Sequence, residues 1–206
     1  MSNNKDWTGN KKSTFTMLGA SNHAQEEREV NDFYATDPIA IDKLFEVEQF
    51  DVNIWECACG DGELSKRMIK FGKNVFSSDL IDRGYEDCRS GLNFLEIETG
   101  PDKPVFEGDI ITNPPYKYIS EFILKALELV QEGHKVAMFC KLTTLESQSR
   151  YDDIFSKYPP KTIYVFSKRI ACYKNNDRSK YQSSAVCYAW FVWEKGFTGD
   201  PIIKWI

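Results

Sequence analysis

Trp55-Glu56-Cys57-Ala58-Cys59-Gly60-Asp61-Gly62-Glu63-Leu64 begins at the end of an apolar run, passes through a glycine-bearing loop and opens an amphipathic segment. Glycines at 60 and 62 let the backbone turn sharply and approach a ligand that side chains would exclude, beside the free N–H groups of a helix start. Taken alone, such a stretch is either an ordinary strand-to-helix turn or the cradle of a nucleotide-type cofactor. A dinucleotide site requires G-x-G-x-x-G, and Ser65 stands where the third glycine would be. Glu56, ahead of the loop, suits a cationic ligand better than a pyrophosphate. A sulfonium-bearing nucleoside meets both conditions.

Working outward from the loop, apolar runs of strand type at 52–56, 74–78, 92–95, 109–112 and 135–140 alternate with amphipathic segments at 38–48, 62–71, 117–131 and 147–157. This alternation predicts an α/β fold with a parallel sheet covered by helices on both faces. Two further strand-like runs, 162–167 and 184–194, have no helical period between them and predict an antiparallel closing pair. The count is then seven strands. Residues 1–30 are rich in Asn, Lys, Ser, Gln and Glu and are expected to form a polar, mobile arm, with a single domain over 31–206. That length, with 42% hydrophobic and 14% aromatic residues, is enough for one substantial core.

Composition narrows the function classes further. No segment approaches the roughly 20 apolar residues of a membrane helix, so a soluble, cytoplasmic protein is expected. The six cysteines include no C-x-x-C pair and have only two histidines for company, which predicts reduced thiols and no structural metal. A net charge of -5 argues against general electrostatic coating of nucleic acid and leaves room for a local basic patch.

A second motif, Asp109-Ile110-Ile111-Thr112-Asn113-Pro114-Pro115-Tyr116, carries an apolar strand into a proline-fixed turn. Prolines fix φ and donate no backbone hydrogen bond, so the turn presents the Asn113 side chain and the Pro114 carbonyl as rigid acceptors. Two acceptors facing one NH2 group are what amine methylation needs. They favour a pyramidal nitrogen whose lone pair points at the methyl group, and they stabilise the positive charge that develops. Tyr116 adds a flat face for stacking an aromatic ring. The alternative is a structural Pro-Pro turn. At the end of the second strand, Asp79 either accepts from ribose hydroxyls or caps the next turn.

Together, Glu-x-x-x-Gly-x-Gly and Asn-Pro-Pro-Tyr resemble the amino-methyltransferases of the Rossmann-like class, and the flanking text resembles small phage-type DNA N6-adenine methyltransferases. Asn31-Asp32-Phe33-Tyr34-Ala35-Thr36-Asp37-Pro38 is similar to their cofactor-lid motif, and Tyr188-Ala189-Trp190-Phe191-Val192-Trp193-Glu194 to their closing strand. The resemblance covers about residues 28–206. It implies S-adenosyl-L-methionine as cofactor and N6 of a flipped adenine in DNA as methyl acceptor. It also implies a seven-stranded sheet ending in an antiparallel hairpin. By motif, Tyr34 and Thr36 would line the methionine end of the cofactor, with Glu56, Cys57, Gly60 and Gly62 in its loop. Asp79 and Leu80 would stand at the ribose, Asn93 and Phe94 at the adenine, and Asn113, Pro114, Pro115 and Tyr116 would hold the target base. Where the family has Asp-Phe-Leu, this chain has Asn93-Phe94-Leu95, and an asparagine still accepts from an amine.

The stretch between the last two strands carries Lys168, Arg169, Lys174, Arg178 and Lys180 interleaved with Tyr173 and Tyr181, and is either a loop that tracks a nucleic-acid backbone or a solvated charged loop. RNA adenine or a protein glutamine amide are alternative methyl acceptors. A non-catalytic binding protein on the same fold is the alternative of another class. The sequence leaves open whether a partner or a second copy supplies specificity.

Overall fold

The computed structural model describes residues 34–100, 106–174 and 186–206, with the backbone alone at Tyr34 and at 172–174. The expected arm over 1–30 lies outside the described residues. The elements in chain order are β1 (Tyr34–Thr36), α1 (Ile39–Val47), β2 (Asn53–Glu56), α2 (Glu63–Lys70), β3 (Asn74–Asp79), β4 (Cys88–Ser90) and β5 (Asp109–Thr112). They continue with α3 (Ile119–Leu129), β6 (Lys135–Lys141), α4 (Gln148–Arg150), β7 (Thr162–Val165), β8 (Cys172–Lys174), β9 (Tyr188–Glu194) and β10 (Ile202–Trp205).

Eight strands form one sheet in the order β10-β7-β9-β6-β5-β2-β3-β4, parallel except for β9, which runs antiparallel between β6 and β7. The alternation in sequence thus gives the expected α/β architecture with an antiparallel C-terminal pair. Strands covered on both faces read as continuous apolar runs, and β9 divides its side chains by the two-residue period. Ala189, Phe191 and Trp193 join the cluster around Phe122, Ile123 and Ala126 of α3. Trp190 and Val192 join the opposite cluster around Ile41 and Leu44 of α1 and Leu64 and Met68 of α2. Trp190 is fully buried and donates its indole N–H to the Ala40 carbonyl at 2.9 Å, binding the central strand to α1. Arg67 of α2 pairs with Asp42 of α1, so the two helices on this face are also joined at the surface.

Four details depart from the sequence reading. The expected strand at 92–95 is displaced to Cys88–Ser90, and Phe94–Glu96 is a short 3-10 turn. Gly91 at φ 77° turns the chain out of β4, and Asn93 Oδ1 then accepts from the Leu95 N–H at 3.2 Å, a side-chain bond that competes with a ladder. The expected helix over 147–157 is one α turn that widens into a π-helical turn, Tyr151–Phe155. The wider turn buries Ile154 while Asp152 and Asp153 stay exposed. An eighth strand, β10, lies parallel to β7 at the sheet edge, with all four residues exposed and hence no burial pattern to announce it. Finally, β1 and β8 form a separate antiparallel ribbon, Thr36 opposite Cys172.

Replacing Trp190 by Ala should lower unfolding stability by about 3–5 kcal/mol, because it leaves a large cavity and removes the indole hydrogen bond to the Ala40 carbonyl. Urea denaturation of variant and parent measures this. A loss below about 1 kcal/mol would mean that the β9 to α1 contact is not central to the core.

Candidate active site

In the sheet β5 pairs in parallel with β2, Ile54 opposite Asp109, although β3 and β4 lie between them in the sequence. The strand order therefore reverses at this pair. Open α/β sheets bind ligands outside the carboxyl ends of their strands at such a switch point. The loop after β2 is 57–62 and the turn after β5 is 113–116, so both sequence motifs leave the sheet side by side.

Within the first loop, Gly60 and Gly62 adopt φ of 58° and 77°, the left-handed region where a side chain is strained. At Gly62 a Cβ would also stand 2.3–2.6 Å from the Tyr85 ring, so this glycine makes room for a packed aromatic. The loop is fastened to β3 by Cys59 N–H to the Ser78 carbonyl at 3.0 Å and by Gly60 N–H to Asp79 Oδ2 at 2.9 Å. Asp79 Oδ1 accepts from the Ile81 N–H at 2.9 Å, so the turn-capping role foreseen for Asp79 is present. Leu80, beside it, is exposed.

Glu56 is buried, and its carboxylate takes the Ser65 hydroxyl, which in turn accepts from the Ser77 hydroxyl at 2.7 Å. The carboxyl thus braces the first turn of α2 against β3. Burial, together with the neighbouring acids Asp61 and Asp79, raises its pKa to about 8 against the opposing Ser65 hydrogen bond. Cys57 is also buried, its thiol meeting Thr112 and pushed up by burial. Phe94 is 2% exposed and lies between Trp55 and Phe122, at 5.3 and 5.1 Å between ring centroids. Its ring packs in the core, and Asn93 beside it spends its side-chain oxygen on the Leu95 cap.

Asp61 received no role from its spacing, and here it is informative. Its Oδ2 is buried with no hydrogen-bond partner among the described residues, and burial raises its carboxyl above the usual aspartate range. A buried acceptor in a glycine loop fits a ligand that brings an N–H or a positive charge.

On the second turn, Pro114 is buried and the Pro115 carbonyl accepts from the Tyr118 N–H at 2.9 Å, closing a 3-10 turn that leads into α3. Asn113 donates from Nδ2 to Thr36 Oγ1 at 2.7 Å. Thr36, expected along the cofactor, is therefore joined to the Asn-Pro-Pro-Tyr turn. The Tyr116 ring stacks on Tyr188 at 6.0 Å, and Tyr188 on Phe139 at 5.0 Å, so the tyrosine is braced by strands β9 and β6. Lys141 Nζ stands 4.7 Å from the Tyr116 ring centroid. Lys141 and Tyr188 are opposed in the β6 to β9 ladder. The sign of both was available in the sequence, since Lys141 directly follows a predicted strand and Tyr188 opens the closing one.

Lys168 and Arg169 are exposed. Lys174 contributes backbone to β8, while its side chain, that of Tyr34, and residues Arg178 and Lys180 lie outside the described residues. His134 meets Asp109 at 3.2 Å at the amino end of β6, the opposite end of the sheet from both loops. Cavities of about 460 Å³ beside Ser120, Glu121 and Arg150, and of about 370 Å³ beside Asp109 and His134, are lined by no residue of 57–62 or 113–116.

The raised Glu56 pKa has a sign that can be tested. The native state holds a proton on Glu56 that the unfolded chain releases above about pH 4.5, so this contribution to stability falls as pH rises toward 8. Between pH 6 and 9 the urea midpoint of the parent should decline more than that of Glu56→Gln, which has no proton to lose. Parallel declines would place the Glu56 carboxyl in an ordinary, solvated environment.

No protein-family model and no curated protein matches the sequence. Solved structures do match. The methyltransferase subunit of a type I restriction-modification system from Streptococcus thermophilus aligns at 14% identity and TM-score 0.57 over 86% of this chain and 48% of that one. A Listeria monocytogenes protein described as a class I S-adenosylmethionine-dependent methyltransferase aligns at 13% and 0.56, over 95% and 71%. A Pyrococcus horikoshii protein described as an RNA methyltransferase aligns at 14% and 0.55, over 90% and 98%. At such identities the likeness is one of fold, and the chain has the Rossmann-like α/β fold of these methyltransferases.

Proposed function

We propose that the protein transfers a methyl group from S-adenosyl-L-methionine to the exocyclic N6 of adenine in DNA. The observation that carries this reading is the placement of the Asn-Pro-Pro-Tyr turn beside the glycine loop at the switch point, with the Asn113 amide held by Thr36. The cofactor, when bound, supplies an electrophilic methyl group on a sulfonium. Asp79 stands at the end of β3 where a ribose would be met, Gly60 holds the left-handed backbone of the loop, and the buried Asp61 acceptor suits the positively charged amino-acid end of the cofactor.

The chain's own part in catalysis is alignment and electrostatics. An exocyclic aromatic amine is a weak nucleophile because its lone pair is delocalised into the ring. The Asn113 side-chain oxygen and the Pro114 carbonyl each accept one N–H, which favours pyramidal nitrogen and stabilises the positive charge as it forms. Tyr116, backed by Tyr188 and Phe139, offers a ring for stacking the extruded base. The methylated aminium is acidic enough to release its proton to water, so no histidine is required. Lys117 and Lys141, each over a tyrosine ring at the same edge, join exposed Lys168 and Arg169 as phosphate contacts beside the site. DNA is favoured by the resemblance of the motifs.

Two measurements test the assignment. Calorimetric titration with S-adenosylhomocysteine should show binding that Asp79→Ala weakens by roughly 1–3 kcal/mol, whereas tighter binding of NAD by the parent would overturn the cofactor. In single turnover on an adenine-containing duplex, Asn113→Ala should lose about 100-fold or more in rate with little change in cofactor affinity, the usual size of losing one preorganised charge-stabilising group. Tyr116→Phe should keep much of the activity and Tyr116→Ala should weaken capture of the base. Turnover of Asn113→Ala at the parental rate would contradict the chemistry.

A further inference from the structure

We propose that Cys59 and Cys88 are a redox-active pair, which a low-molecular-weight disulfide converts into an intramolecular disulfide that ties the glycine loop to β4 and weakens cofactor binding. The role of the loop rests on the methyl-transfer reading above, while the pairing of the two sulfurs rests on geometry alone. The residues are 29 apart in the chain, yet their Sγ atoms stand 3.1 Å from each other. Both are fastened to consecutive residues of β3. The Cys59 N–H donates to the Ser78 carbonyl at 3.0 Å. Cys88 opposes Ser77 in the parallel β3 to β4 ladder, and its N–H donates to the Tyr85 carbonyl at 3.0 Å. A sulfur–sulfur bond is about 2.0 Å long, so rotation of the two side chains has about 1 Å to close.

Cys88 is half-buried and Cys59 is 4% exposed, so an oxidant meets Cys88 first. Burial, the Cys88 thiol and the acids Glu56 and Asp79 push the Cys59 thiol far above the usual range, which leaves Cys88 as the attacking thiolate. Its sulfur attacks one sulfur of the oxidant, and the other leaves as a thiolate, giving a mixed disulfide on Cys88. Cys59 then gives up its proton to solvent, and its sulfur displaces the remaining half of the oxidant. Two protein thiols become one disulfide and the oxidant is reduced to two thiols, with two electrons passing between them. The consequence falls on the loop. Cys59 directly precedes Gly60, whose left-handed backbone and N–H bond to Asp79 Oδ2 shape the cradle. Drawing the Cys59 sulfur toward β4 pulls on a loop whose amides are already committed to β3, and the displacement is passed to Gly60.

The test treats the whole folded chain with oxidised glutathione, alongside Cys88→Ser, Cys88→Ala and Cys187→Ser, the last of which removes an exposed thiol. A non-reducing peptide map of the parent should join Cys59 to Cys88, with fragmentation separating Cys59 from Cys57. Calorimetric titration should then give an S-adenosylhomocysteine Kd about fivefold or more above that of the reduced parent, the low end of the usual coupling between linked events. Dithiothreitol should restore the original value. Both Cys88 variants should bind like the reduced parent and keep their Kd after oxidation, while Cys187→Ser should respond as the parent does. Absence of the Cys59 to Cys88 link, a smaller rise in Kd once the link has formed, or an equal response in the Cys88 variants overturns the proposal. A reduced parent that does not bind S-adenosylhomocysteine would instead sink the cofactor reading, and the peptide map would then decide the pairing of the two thiols alone.

Discussion

The parallel pairing of β2 with β5 is the constraint on which the rest of the site depends. The chain lays β3 and β4 on one side of β2, then returns to begin building on the other side, and only at that reversal do the exits of two adjacent strands diverge and leave a crevice. The glycine loop and the Asn-Pro-Pro-Tyr turn are those two exits. All four residues of β5 are buried, with Ile110 and Ile111 at its centre. At the far end, Asp109 accepts from the backbone N–H groups of Asp51 and Lys135 at 2.6 and 2.7 Å, joining the segments that lead into β2 and β6 to the start of β5. One buried carboxylate at the amino end thereby helps to align the three strands whose carboxyl ends form the site.

At the carboxyl end, polar groups divide between bracing and ligand-facing positions. Glu56, Ser65 and Ser77 form a buried chain that holds α2 to β3, and a group so enclosed satisfies its neighbours rather than a ligand. Asp79 fastens Gly60 while standing at the strand end, and Asp61 is left with a buried oxygen that the described residues do not satisfy. The asymmetry matters because an unsatisfied buried acceptor is destabilising until something supplies a donor. Stability given up at the loop is recoverable on binding.

Much of this was legible in the sequence, for definite reasons. The period of apolar residues distinguished α1, α2 and α3 from the strands, and the lack of a helical period after residue 162 foretold the antiparallel placement of β9. Glycine pairs and a Pro-Pro dipeptide mark turns by local backbone physics, so both loops were found. What escaped had no local signal. β10 is exposed on every residue, so no alternation separates it from a loop. The region 92–95 has strand-like residues, yet Gly91 and the Asn93 cap divert it. Motif position does not say which way a side chain turns, so the burial of Phe94 and Glu56 has no local signal either. The Thr36 to Asn113 contact joins residues far apart in the chain, and no spacing rule could have paired them.

The proposed reaction is methylation of an exocyclic amine, that of adenine in DNA. It is tested most directly by incubating the protein with isotope-labelled S-adenosyl-L-methionine and, separately, with DNA, RNA and a protein mixture, then digesting each to monomers and locating the label by mass. Labelled N6-methyladenine is expected from the DNA. Label on RNA adenine or on glutamine alone, or label nowhere while the cofactor binds, would contradict it.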